Sequence, residues 1–112
     1  MRIMVTGTSG LIGGAIALHL CGQGHEVVGL SRRKSPLLPA RITQLAADLA
    51  SPSFLEKVRN DAPPCEAIVH AAADRNPAPG AASVSTTNCL GTQQMIALAQ
   101  EWPAARGFLF LS

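Results

Sequence analysis

The sequence predicts a doubly wound α/β fold: a parallel sheet, incomplete at about five strands, with helices on both faces. Three observations predict it. Short runs rich in Val, Ile and Leu alternate with segments of helical periodicity. The runs are apolar at consecutive positions, as strands covered on both faces require. Helices or loops separate successive runs, so the strands run parallel through right-handed crossovers rather than pairing as hairpins.

Each element has its own justification. Arg2–Val5 is a short apolar run stopped by glycine, the first strand. From Leu11 to about Cys21, Leu11, Ala15 and Leu18, and also Ile12, Ile16 and Leu20, fall at helical spacing, with Gly22 and Gly24 as the stop. Glu26–Leu30 is the second strand, ending at Ser31-Arg32-Arg33. Pro36 and Pro39 mark a loop toward a third strand near Arg41–Leu45. Ser51 as N-cap and Pro52 at the first helical position predict a short helix to about Asn60. "DAPPCE" interrupts the chain, and Ala67–His70 is the fourth strand. A loop with Pro77, Pro79 and Gly80 leads into a long helix, about Ala82–Glu101, which Pro103 ends. Gly107–Leu111 is the fifth strand. Met95, Leu98 and Trp102 share one helical stripe and read as core.

Composition narrows the functional classes. A hydrophobic fraction of 47% against 14% charged residues belongs to a folded chain rather than a disordered one. The net charge of +2 is too small to point to nucleic acid or an anionic membrane. No stretch approaches the roughly 18 apolar residues of a membrane span, and no secretory leader is evident. Cys21, Cys65 and Cys89 are widely spaced and match neither a zinc site nor a disulfide framework, which favours reduced core thiols and a cytoplasmic location. His19 and His25 have no partner at metal spacing, and His70, at a strand end, reads as a packed, hydrogen-bonded imidazole.

The most informative stretch is "TGTSGLIGG", Thr6–Gly14, which lies between the first strand and the first helix. In the spacing Gly7-x-x-Gly10-x-x-Gly13, Gly7 permits a tight turn and Gly10 leaves room for a pyrophosphate to approach the backbone. Gly13 lets the helix pack closely on the sheet. The N-terminal N–H groups of the helix, around Leu11 and Ile12, are phosphate donors, and the hydroxyls of Thr8 and Ser9 can add to them. Gly14 lies outside this motif.

These residues resemble the short-chain dehydrogenase/reductase superfamily, and in particular its extended branch, the NAD-dependent epimerase/dehydratase family. "TGTSGLIG" is similar to the T-G-x-x-G-x-[IL]-G loop of that Rossmann-type fold. "AADL" (Ala46–Leu49) resembles the segment in which Asp48, followed by Leu49, meets the adenine. "VHAAA" (Val69–Ala73) resembles the end of the family's fourth strand, placing Ala71, Ala72 and Ala73 beside the ribose and nicotinamide. "NCLGT" (Asn88–Thr92) is similar to N-x-x-G-T, in which Asn88 supports the active-site helix. "FLFLS" (Phe108–Ser112) is like the run that leads into the catalytic serine segment.

The resemblance implies a nicotinamide dinucleotide, NADP or NAD, as cofactor. Members that prefer NAD carry an acidic side chain at the end of the second strand, where this sequence has Ser31, Arg32 and Arg33. Guanidinium groups there suit a 2′-phosphate, so NADP is the expected preference. The family's chemistry rests on a Tyr-x-x-x-Lys pair, whereas this sequence contains no tyrosine and its lysines, Lys34 and Lys57, lie elsewhere. No catalytic residue is therefore assigned. Residues 1–112 are expected to be the N-terminal, dinucleotide-binding portion of a longer oxidoreductase, epimerase or dehydratase, inactive alone. A nucleotide sugar is one candidate substrate and a homodimer one candidate assembly. A non-catalytic, redox-sensing dinucleotide module is the alternative. Asp74 and Arg75 fall in the loop on the expected cofactor side.

Overall fold

Ile3, Met4 and Val5 offer water no polar side chain, and the fold buries them at the centre of a parallel sheet. A computed structural model of the protein describes residues 1–72 and 86–111. The elements are β1 (Arg2–Thr6), α1 (Leu11–Gly22), β2 (Glu26–Ser31), β3 (Thr43–Ala46), α2 (Phe54–Asp61) and β4 (Ala67–His70). A π-helical turn, Thr86–Leu90, then runs into α3 (Gly91–Glu101), and β5 (Gly107–Phe110) follows. The expected start of the long helix at Ala82 and the loop of Pro77, Pro79 and Gly80 lie outside the described residues, as do Asp74, Arg75 and Ser112.

The sheet order is β3-β2-β1-β4-β5, every pair parallel. The chain steps outward from β1 to β3, then returns to the other side of β1 for β4. That reversal leaves a crevice at the C-terminal ends of β1 and β4, the position where open α/β sheets bind ligands. Alternation along the strands divides the core. Met4, Val28, Leu30 and Ile68 pack under Phe54 and Val58 of α2 and Met95 and Leu98 of α3, with Trp102 just beyond α3. Ile3, Val5 and Val27 face Ala17 and Cys21 of α1, with Ile42 closing the edge. The stripe Met95, Leu98 and Trp102 is core, as its spacing implies.

α1 ends in a Schellman motif. Gly24 takes φ +90°, its N–H reaches the Cys21 carbonyl at 3.1 Å, and the His25 N–H reaches that of Leu20 at 3.2 Å. α2 starts later than expected. Ser51 and Pro52 stand before it, and the N-cap is Ser53, whose side chain makes no capping bond. Local bonds hold 48–54 in turns instead: Ala50 N–H to the Asp48 carboxylate, Ser53 N–H to the Ser51 hydroxyl, and Phe54 N–H to the Ser51 carbonyl. Helix begins where buried Phe54 anchors it. Cys21 and Cys65 are buried, but Cys89 is exposed, which corrects the reading of all three thiols as core. Burial pushes the Cys65 thiol up to about 11, against the nearby Arg2 charge, so it stays protonated and unreactive.

Candidate functional site

A cleft of about 380 Å³ opens along the C-terminal ends of the strands. Gly7, Ser9, Gly10, Leu11, Ile12 and Gly13 line it from the β1–α1 loop, and Leu30, Ser31 and Arg32 from the end of β2. Ala47, Asp48 and Leu49 enter from the turn after β3, and Ala71 and Ala72 from the end of β4.

The glycines of the loop have separable roles. Gly7 takes φ +78°, and a Cβ there would lie 2.9 Å from the Ala72 backbone, so the turn needs glycine for both conformation and space. A Cβ at Gly13 would overlap the Gly7 carbonyl, and one at Gly14 would sit 3.1 Å from the Thr8 carbonyl oxygen. At Gly10 the nearest obstacle is the Gly7 carbonyl oxygen at 3.4 Å, an ordinary contact. The protein itself therefore does not demand glycine at position 10; the open space beside it belongs to the cleft. The Gly10 N–H bonds Gly7 and the Gly14 N–H bonds Gly10, but the N–H groups of Leu11, Ile12 and Gly13 have no acceptor among the described residues. No side chain caps α1 and its first turn has no acid, so its positive end is open to an anion.

The other walls are fixed by specific bonds. The Gly7 N–H donates to the Leu30 carbonyl at 2.7 Å, tying the loop to β2. Ser31 is buried and its hydroxyl donates to the Arg33 carbonyl, which shapes the turn carrying Arg32. Arg32 and Arg33 are exposed and form no ion pair among the described residues. Gln44 of β3 clamps the adjoining loop by accepting from the Ser35 N–H at 2.7 Å and donating to its carbonyl at 2.9 Å. Leu49 is held by α3: its carbonyl accepts from the Gln94 amide at 2.6 Å, and its Cβ lies 3.0 Å from where a Cβ on Gly91 would be.

The Ala71–Ala72 wall hangs from one hydroxyl. Thr6 Oγ1 accepts from the Ala71 and Ala72 N–H groups, both at 3.0 Å, and lies 2.8 Å from His70 Nδ1. His70 is fully buried, with Phe108 and Phe110 tilted against its ring. Burial pushes its pKa below the usual imidazole value and favours the neutral ring. Among the described residues no His, Cys, Asp and Glu cluster that could hold a metal occurs, and no helix is long and apolar enough to cross a membrane.

The model of the NAD dependent epimerase/dehydratase family matches residues 3–112. The chain belongs to that family. Uncharacterized protein Rv2047c of Mycobacterium tuberculosis is 36% identical over 72 residues, which make up 64% of this chain and 8% of that protein. Among solved structures, WbmG of Bordetella bronchiseptica, crystallised with NAD, aligns with TM-score 0.84 and 24% identity over 98% of this chain and 36% of its own. WbmH of the same organism, crystallised with NAD+, aligns with TM-score 0.79 and 25% identity over 95% of this chain and 37% of its own. The chain thus spans about a third of these structures' length.

Of the positions expected from the sequence to serve this family's cofactor, the fold gathers Gly7, Ser9, Gly10, Leu11, Ile12, Gly13, Ser31, Arg32, Asp48, Leu49, Ala71 and Ala72 on one cleft. Thr8 is not among its walls. Its side chain is buried against Gly29 of β2, where its hydroxyl has no partner among the described residues, so it is turned away from the cleft. Arg33 and Asn88 also stand outside the lining, and Ala73 lies outside the described residues. Leu30 and Ala47 were missed; each immediately precedes an expected residue, Ser31 and Asp48, at the end of an inward-facing apolar run. The Thr6–His70 pair was missed as a joint support, because its members stand far apart in sequence and meet through the β1–β4 register.

Proposed function

We propose that this chain is the dinucleotide-binding portion of an oxidoreductase, epimerase or dehydratase that exchanges hydride with a carbonyl or carbinol carbon. One observation carries the reading: three N–H groups without an acceptor among the described residues and the open side of Gly10 meet at the mouth of a cleft whose far walls are Arg32 and Asp48. The pyrophosphate would lie at the start of α1, against the Leu11, Ile12 and Gly13 N–H groups. The adenosine would lie between the ends of β2 and β3, with Asp48 toward the adenine. One carboxylate oxygen of Asp48 already accepts from the Ala50 N–H at 2.9 Å, which orients the group. The Ala71–Ala72 wall would flank the ribose and nicotinamide. When bound, the cofactor supplies the hydride chemistry, and this chain's residues bind and orient it. With no tyrosine in its 112 residues, the chain contributes no Tyr-x-x-x-Lys pair. A nucleotide-sugar substrate is consistent with WbmG, which was crystallised with UDP as well as NAD.

NADP is the preferred cofactor on this reading, since the β2 end offers guanidinium groups that form no ion pair among the described residues, and no carboxylate. Titration with NADPH and NADH, followed by nicotinamide fluorescence, tests it. Arg32→Ala is expected to weaken NADPH binding about tenfold or more and NADH binding much less, the loss of one charge-assisted contact. Equal losses for both cofactors would remove the basis for the NADP preference, and no binding of either by the folded protein would remove the dinucleotide reading.

A further inference from the structure

The bonds around His70 have only one consistent set of proton positions. Thr6 Oγ1 has two lone pairs and one hydrogen, and the Ala71 and Ala72 N–H groups occupy both lone pairs. Its hydrogen must then go to His70 Nδ1, 2.8 Å away, so that nitrogen carries no proton. The ring's hydrogen is on Nε2, which donates to Thr92 Oγ1 at 3.0 Å. Thr92 in turn donates to the Asn88 carbonyl at 2.7 Å, one turn back in the helix. The result is a directed chain from the Ala71–Ala72 wall of the cleft, through β1 and β4, to the π-helical turn that opens α3.

We propose that His70 is a positioning residue for the dinucleotide, coupling the Ala71–Ala72 wall to the start of α3 through Thr92. This rests on the dinucleotide reading above. Without the His70 link, the Thr6 hydroxyl loses the acceptor that fixes its rotamer, and its lone pairs need no longer point at both wall N–H groups. A half-turn of that hydroxyl would release the wall toward or away from Gly7, where a Cβ would lie only 2.9 Å from the Ala72 backbone. The π-helical turn suits such a junction, because π-turns are rare and are frequently found at functional sites. The ring's burial against Phe108 and Phe110 keeps water from substituting for either partner.

The test compares Thr92→Val, isosteric but unable to accept the His70 proton, with Thr92→Ser, which keeps the hydroxyl. Kd is measured for whichever dinucleotide the wild type binds, well below each variant's melting temperature. Thr92→Val is expected to raise Kd about tenfold and Thr92→Ser to restore most of the loss. Nitrogen-15 spectra of the His70 ring are expected to show an unprotonated Nδ1 and a protonated Nε2 in the wild type. A merely structural Thr92 would lower the melting temperature and leave Kd unchanged, and that result, or a protonated Nδ1, overturns the proposal. A folded wild type that binds neither dinucleotide would take down the functional reading and this inference together. Wild-type binding with an unchanged Thr92→Val sinks the inference alone.

Discussion

At the scale of single residues, the loop glycines separate what the fold needs from what a ligand needs. Gly13 has no room for a methyl group, because its Cβ would overlap the Gly7 carbonyl, and backbone cannot step aside as a flexible side chain can. Gly10 has that room and takes φ −90° and ψ 170°, a conformation any residue adopts. Gly13→Ala is therefore expected to destabilise the protein by about 3 kcal/mol through overpacking, measured by urea denaturation. Gly10→Ala should leave stability within about 1 kcal/mol of wild type, since removing glycine's freedom in the unfolded chain offsets small strain. The same Gly10→Ala should weaken dinucleotide binding by about tenfold or more, because its methyl group fills the path by which a pyrophosphate reaches the backbone. A stable Gly10→Ala that binds as well as wild type would mean that the spacing serves the turn alone. The sequence shows three equivalent letters here; their different duties come from the path of the Gly7 carbonyl, which no spacing rule contains.

At the scale of elements, α1 illustrates how local chemistry bounds a helix whose faces do not differ. It is apolar nearly all round, with Leu11, Ile12 and Leu18 exposed on one side and Ala17 and Cys21 buried on the other. Its ends are set by backbone rather than by amphipathic pattern: open N–H groups at the start and a Schellman motif at the finish. A Cβ on Gly24 would meet nothing within 4 Å, so substitution there costs conformation and not packing. Gly24→Ala is expected to lower stability by about 1 kcal/mol through its positive φ, with an unchanged denaturant slope. A larger loss accompanied by a changed slope would contradict a purely local cost. The same logic explains which elements were legible. β1, α1, β2 and β4 are bounded by glycine, by charge or by proline and were readable to within a residue or so. The start of α2 was not, because the side chains of Asp48 and Ser51 accept from neighbouring backbone N–H groups in turns, and a Ser-Pro pair looks the same to a capping rule in either case.

At the scale of the whole molecule, the two sheet edges are unequal. β3 is short, carries Thr43 and Gln44, and is flanked by the loop that Gln44 clamps at Ser35, so it offers little for another strand to join. β5 pairs with β4 on one side and has no strand on the other among the described residues. It presents Leu109 at 56% exposure and Phe110 at 51%, on opposite faces of that edge. Leu109 is opposite Val69 in the register, on the face that α1 covers, but α1 reaches mainly β1 and β2. This imbalance was legible in part: the doubly apolar fifth strand is plain in "GFLFL", whereas its place at the edge depends on the order β3-β2-β1-β4-β5. Among the described residues this edge exposes apolar side chains on both faces, and a charge placed on it should oppose pairing with another copy's edge. Leu109→Lys is therefore expected to reduce self-association in sedimentation velocity at matched concentrations. The side chain is already more than half in water, so stability should change by no more than about 0.5 kcal/mol. Unchanged association in a folded Leu109→Lys would place the contact elsewhere, with the exposed apolar side of α1 as the next surface to alter.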